Sequence, residues 1–171
     1  MNLLTADRLR ELLAYDPQTG AFTWRLARVA WNGRRVIARP GDVAGTVCKN
    51  GYRAINIDGT PRLEHRLAFL WMTGEWPEAD VDHINGDRAD NRWANLRPAS
   101  RRMNLQNRRG PSSNRKHGHL LGTAWHAKTQ KWRALIKHDG RQKSLGYYET
   151  EQAAHYAYVE AKRRLHEGCT I

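Results

Sequence analysis

Apolar positions along this chain recur in short runs, some at helical and some at strand spacing, with no long apolar stretch. Residues 5–15, TADRLRELLAY, place Leu9, Leu12 and Leu13 on one face behind Thr5 as an N-cap, which predicts a helix. Asp16-Pro17-Gln18-Thr19-Gly20 reads as a turn and Ala21–Leu26 as a strand. Residues 32–50, rich in Gly, Arg and Val, predict loops with short strands. Residues 52–57 alternate as a strand does, and Asp58-Gly59 is a tight-turn signal. Leu63, Leu67, Leu70 and Trp71 then return at helical spacing, stopped by Gly74 and Pro77. Val81–Ile84 and Leu96–Ala99 read as strands around a polar loop, with Ser100 placed to cap a helix running to about Asn107.

The pattern changes after residues 108–120, RRGPSSNRKHGHL, a basic linker at which a domain boundary is expected. Strands are predicted near 122–127, 131–138 and 142–147, joined by turns at Lys128–Gln130 and Asp139-Gly140. A helix over about 150–166 follows, with Ala154, Ala157, Tyr158, Ala161 and Leu165 as its apolar stripe. Lys162, Arg163 and Arg164 suit its C-terminal dipole and Gly168 its end. The expected fold class is α+β.

Length and composition narrow the picture. The 171 residues, 40% of them apolar, suit two modest cores better than one large core. No run approaches the roughly 18 apolar residues of a membrane span, and the opening MNLLTADRLRELL lacks a signal-peptide pattern. A soluble protein acting in the cytoplasm, with no membrane partner, is expected. Cys48 and Cys169 stand 121 residues apart in no CxxC pair, which argues against a zinc ribbon or a disulfide framework and for free thiols.

Charge changes the functional reading. Lys and Arg number 29 against 17 Asp and Glu, a net +12. Between Arg101 and Lys143 there are 12 basic residues and one acid, Asp139, so that quarter of the chain alone carries +11. A cationic stripe of this density is the footprint of a polyanion binder, and double-stranded DNA is the expected partner. A merely soluble surface would intersperse both signs.

The densest candidate chemistry lies in VDHINGDRADNRWANLRPASRRMNLQN. Asp82 and His83 are adjacent at the end of a strand, so their side chains point to opposite faces. Asn95 precedes the second strand, and Asn104 lies on the helix beyond it. Phosphodiester hydrolysis needs a hard cation on the phosphate, a neutral imidazole to deprotonate water, and a group that orients the imidazole. Asp82 and Asn104 offer only oxygens, which favours Mg2+ or Mn2+ over zinc. His83 has the intrinsic basicity for the imidazole role. Taken singly, Asp82 also reads as a strand-end cap and Asn95 as a turn residue. Asn85-Gly86 and Asp90-Asn91 are read as turn formers.

With EHRLAFLWMTG, DHINGD, DNRWANLR and Asn104 in this order, residues 61–107 resemble the HNH endonucleases, most closely the phage and intron-encoded homing type. The resemblance implies a ββα-metal fold, His83 as general base, Asp82 and Asn104 as metal ligands, and Asn95 fixing the loop. Asn rather than His at the last ligand position narrows the subfamily to the homing type. His65 matches an HR pair of that subfamily and is read as a structural or phosphate contact. Arg97 is either a phosphate clamp or a solvated base.

Residues 121–168 look like an AP-two/ERF DNA-binding domain, carried by Gly122, Trp132 before Arg133-Ala134, Leu145-Gly146, Tyr148-Glu149-Thr150, Ala153-Ala154 and Ala157-Tyr158. Trp125 stands where Arg is usual and Ser144 where Trp is usual, so base preference does not carry over. The resemblance implies a small three-stranded antiparallel sheet packed on one helix. One sheet face, bearing Trp125, Trp132, Lys137 and further cations, is expected to meet DNA; Trp132 also reads as core. Candidate DNA contacts are Arg97, Arg101, Arg102, Trp125, His126, Lys128, Trp132, Arg133, Lys137, Arg141 and Lys143.

The expected organisation is a strand and helix region at 1–60 supporting the nuclease, an HNH unit at 61–107, the linker at 108–120 and the sheet module at 121–168. The expected activity is metal-dependent nicking of DNA at a recognised site by a phage or mobile-element enzyme, as a monomer or a dimer. A DNA-binding regulator on an inactive nuclease scaffold is the alternative. A non-specific toxin or defence nuclease would not need the sheet module.

Overall fold

The computed structural model describes residues 4–30, 34–106, 119–166 and 169. It is a mixed α+β chain of two compact units, Met1–Ala99 and Ser100–Ile171. The expected linker lies outside the described residues as far as position 118.

The first unit opens with α1 (Ala6–Leu12), where the Thr5 hydroxyl accepts from Arg8 N at 3.2 Å. The helix was expected to continue to Tyr15. Instead the chain turns extended at Leu13, and β1 (Leu13–Tyr15) pairs antiparallel with β2 (Phe22–Trp24). The reason is periodicity: a strand buries both Leu13 and Tyr15 on one face, whereas a helix would point them far apart. Short strands β3 (Arg28–Val29) and β4 (Val36–Ala38) form a second pair.

A three-stranded sheet follows, from β5 (Thr46–Val47), β6 (Arg53–Ile57) and β7 (Thr60–Leu63) in that order. Asp58 and Gly59 both take positive φ, 50° and 80°, as a two-residue hairpin turn requires. The strand β7 was not expected; it contains Pro61 and lies at the sheet edge, where a missing N–H is tolerated. The helix α2 (Glu64–Thr73) ends at Gly74, whose φ of 86° lets its N–H reach Leu70 O at 3.0 Å. The strands β8 (Asp80–His83) and β9 (Leu96–Ala99) form an antiparallel pair. Leu9, Phe22, Ile55, Leu67 and Leu70 form the buried centre of the unit.

The second unit begins with α3 (Arg101–Gln106), where the Ser100 hydroxyl accepts from Met103 N at 3.2 Å. An antiparallel sheet, β10 (Thr123–His126), β11 (Lys131–His138) and β12 (Arg141–Tyr148), packs on α4 (Glu151–Leu165). Ile136 of β11 meets Tyr158 and Ala161 of the helix in a small core, and Ala134 on the same strand is fully buried as well. Gly122, at φ 80°, is required there: a Cβ would sit 2.0 Å from the Tyr158 ring. Gly168, expected to end α4, lies outside the described residues; the last turn closes with His166 N on Lys162 O. Among the described residues, no helix is long and apolar enough to cross a membrane.

Candidate active site

The β8/β9 hairpin sorts the two adjacent residues Asp82 and His83 to opposite faces. Val81 and His83 point into the unit, and Asp82 points toward the rim. Across the ladder Asp82 faces Arg97, and the two side chains form an ion pair, Nη2 to Oδ2 at 2.9 Å and Nε to the same oxygen at 3.2 Å. Both members are partly buried, so the pair is screened less than a surface one.

His83 sits at the end of a chain of buried polar groups. Its Nε2 is 3.1 Å from Asn91 Oδ1, Asn91 Nδ2 donates to Glu64 Oε2 at 3.1 Å, and Arg53 Nε donates to the same oxygen at 2.9 Å. Glu64 is fully buried, and Asn91 and His83 are 1% and 3% exposed. Burial pushes the Glu64 carboxyl up from its ordinary value, opposed by the Arg53 guanidinium and the Asn91 amide. Gly45 makes room for this carboxylate: a Cβ there would lie 2.0 Å from Glu64 Oε1.

Two rings bracket the imidazole. His65, from the first turn of α2, meets His83 edge-on with centroids 5.1 Å apart, and Tyr52 lies 5.9 Å from it. His65 is itself buried, and that burial, with the charges of His83 and Arg66, holds its pKa down to about 4. Arg88 lies over the Tyr52 ring, its guanidinium carbon 4.9 Å from the ring centroid.

The loop between β8 and β9 is built from short polar side chains bonding to nearby backbone. Asn95 Oδ1 accepts from Asn85 N at 2.9 Å, and its Nδ2 donates to Asp90 O at 2.8 Å, so one amide ties both ends of the loop. Asp90, bonded by the Arg92 side chain and by Asn85, is lowered to about 2. The β1/β2 turn grips the same loop from outside: Tyr15 Oη donates to Asn91 O at 2.7 Å and Trp93 N to Pro17 O at 3.0 Å. Gly20 belongs to this contact, since a Cβ would lie 2.5 Å from Asn91 C and Arg92 N.

Asp82, His83, Asn95 and Arg97 therefore come together on one hairpin, while Asn104 lies on α3 of the second unit. Sequence reasoning missed Asn91, Glu64 and Arg53 as neighbours of the imidazole. Asn91 was read as a turn former, and no local pattern separates it from Asp90, which does only that. His65, expected as a structural or phosphate contact, sits against the candidate base. Among the described residues, no three His, Cys, Asp or Glu side chains gather as a metal-ligand set.

In the second unit, strand alternation corrects the expected DNA face. Trp132 lies with Ala134 and Ile136 on the side that α4 covers, and it pairs with Trp125 at 5.3 Å. Arg133, Leu135 and Lys137 lie on the opposite side, with His126 and Tyr147, whose rings are 5.0 Å apart. No single face bears Trp125, Trp132 and Lys137 together. By register Arg141 and Lys143 stand opposite His138 and Ile136, on the side of Trp132. Lys128 lies in the exposed turn between β10 and β11. Arg101 and Arg102 are exposed on α3, and Arg102 reaches Asp139 at 2.7 Å.

Residues 62–106 match the family of HNH endonucleases. No curated protein matches the chain. Among solved structures, one described as DNA binding and cleavage by the HNH homing endonuclease I-HmuI is similar at 19% identity over 91% of this chain and 88% of that one, with a TM-score of 0.39. Asp82, His83, Asn91, Asn95, Arg97 and Asn104 all fall inside the matched segment, and so does Glu64. Residues 62–106 are thus similar to the HNH endonucleases, a family of nuclease enzymes.

Proposed function

We propose that this chain is a divalent-metal-dependent DNA endonuclease in which His83 is the general base. The observation that carries the reading is the β8/β9 hairpin, which holds a buried, hydrogen-bonded imidazole beside a carboxylate facing the rim, inside the matched segment. His83 would take the proton of the attacking water. Asn95 keeps the loop closed under it, and Arg97 presents a guanidinium for the scissile phosphate beside Asp82.

Asp82 and Asn104 would hold the ion; their hard oxygens fit Mg2+ or Mn2+ and not zinc. Bound there, such an ion supplies positive charge to the phosphate and to the departing oxygen. One such site per chain favours a nick over a double-strand break.

The second unit is proposed to position the nuclease on double-stranded DNA through an AP-two/ERF-like sheet. The sheet face away from α4, with Lys131, Arg133, Lys137, His126 and Tyr147, offers cations for phosphates and rings for base edges. A phage or mobile-element origin and action in the cytoplasm belong to the same reading.

The test is cleavage of supercoiled plasmid and of phage genomic DNA by the full chain, with magnesium or manganese, with EDTA, and with His83→Ala. Metal-dependent nicking that falls at least about 100-fold in the variant is expected. Full cutting by His83→Ala would refute the base. Salt-sensitive binding without cutting on either DNA would favour the DNA-binding regulator.

A further inference from the structure

We propose that Glu64, acting through Asn91, is a positioning residue that holds His83 in its Nε2–H tautomer and so makes Nδ1 the atom that accepts the proton. The inference rests on the reading of His83 as the base, and it reaches beyond the hairpin to α2 and β6.

The direction of each hydrogen bond follows from what the groups can donate. Arg53 Nε can only donate, so Glu64 Oε2 accepts from it at 2.9 Å. The same oxygen then accepts at 3.1 Å from Asn91, which must turn its amino group toward Glu64. That leaves the Asn91 carbonyl oxygen facing His83 Nε2 at 3.1 Å, and a carbonyl oxygen only accepts. The proton is therefore on Nε2 and the lone pair on Nδ1.

The chain has no easy alternative. Glu64, Asn91 and His83 are between 0% and 3% exposed, so water does not compete for these bonds. The backbone of Asn91 is fixed as well, because Tyr15 holds its carbonyl at 2.7 Å. A His83 with its proton on Nδ1 would set two lone pairs against each other in a dry pocket, which low local dielectric penalises.

The experiment is a long-range 1H–15N spectrum of the full chain with labelled histidines, the His83 signals assigned by their loss in His83→Gln. The expected pattern is a protonated Nε2 and an unprotonated Nδ1 at neutral pH, without DNA. A proton on Nδ1 overturns the proposal whatever the protein cuts. Asn91→Leu keeps the branched shape and removes the acceptor; mixed tautomers and a kcat lower by on the order of 10-fold at unchanged KM for DNA are expected. Glu64→Gln presents a donor as well as an acceptor, so Asn91 can flip and a minor tautomer is expected to emerge. A Glu64→Gln spectrum identical to that of the unaltered chain overturns the share of Glu64. Should Asn91→Leu fail to fold, the spectra of the unaltered chain and of Glu64→Gln still decide. Loss of the base reading instead requires full cutting by His83→Ala, so the two failures are separate.

Discussion

Asp82 and Arg97 stand opposite one another on β8 and β9, and the guanidinium grips a single carboxylate oxygen of Asp82 through two nitrogens. The proposed metal ligand thus already carries a cation at 2.9 Å. Such a neighbour competes with any divalent ion that approaches the carboxylate.

Arg97→Gln should therefore bind the metal several-fold more tightly while cutting more slowly, because the same side chain is proposed to meet the phosphate. The check is the magnesium dependence of nicking, with Mn2+ titration calorimetry alongside. Asp82→Ala should lose the metal response altogether. Equal metal affinity in Arg97→Gln and the unaltered chain would remove the competition argument.

Asn95 ties Asn85 N to Asp90 O, so its loss strands a donor and an acceptor in a partly buried loop. Asn95→Ala is expected to cost about 1–3 kcal/mol of stability, visible in thermal or urea unfolding. Asn95→Asp retains the acceptor, loses the donor and should fall between. An Asn95→Ala protein as stable as the parent would show that the amide does not hold the loop.

The buried His65 makes stability sensitive to acid. Its pKa falls from 6.5 to about 4 on folding, chiefly by burial, so the unfolded chain takes up the proton first. Its contribution is complete above the unfolded value and is lost as pH drops from 6.5 toward 4, by about 3 kcal/mol at the lower end. Glu64, pushed upward by burial, acts with the opposite sign, since the folded state favours its protonated form. His65→Phe should flatten the acid side of the stability curve measured by urea unfolding between those pH values. An unchanged slope would mean that His65 is not the group responsible.

The two faces of the β10–β12 sheet should separate in a salt titration. Arg133→Ala and Lys137→Ala should each reduce the slope of log affinity against log salt by about 0.9, the loss of one phosphate contact. Trp132→Ala, on the α4 side, should lower the stability of the second unit and leave the slope alone. A slope that moves with Trp132 and not with Lys137 would reverse the assignment of the DNA face.

Much of this protein is legible in its sequence because the signals are local. The helix α2 with its Gly74 stop, the strand β9 and the strand β11 follow from apolar spacing and turn chemistry within a few residues. The candidate pair Asp82-His83 is legible for the same reason: adjacent strand residues must face opposite ways. Charge alone points to a polyanion partner.

Long-range pairing decided the rest. Leu13–Tyr15 leaves the helix because β2 lies beside it, which no window around Tyr15 reveals. The tandem of Trp125, Trp132 and Lys137 looks like one surface in a list of residues, but the two-residue period of a strand divides it. Above all, the partners of His83 come from Arg53, Glu64 and Asn91, on three segments that share no sequence pattern. Local residue order determined which side chains could do the chemistry. Only the tertiary structure set the Asn91 carbonyl oxygen against His83 Nε2 and the Asn91 amide nitrogen against Glu64, because packing and not residue order brings these buried groups together.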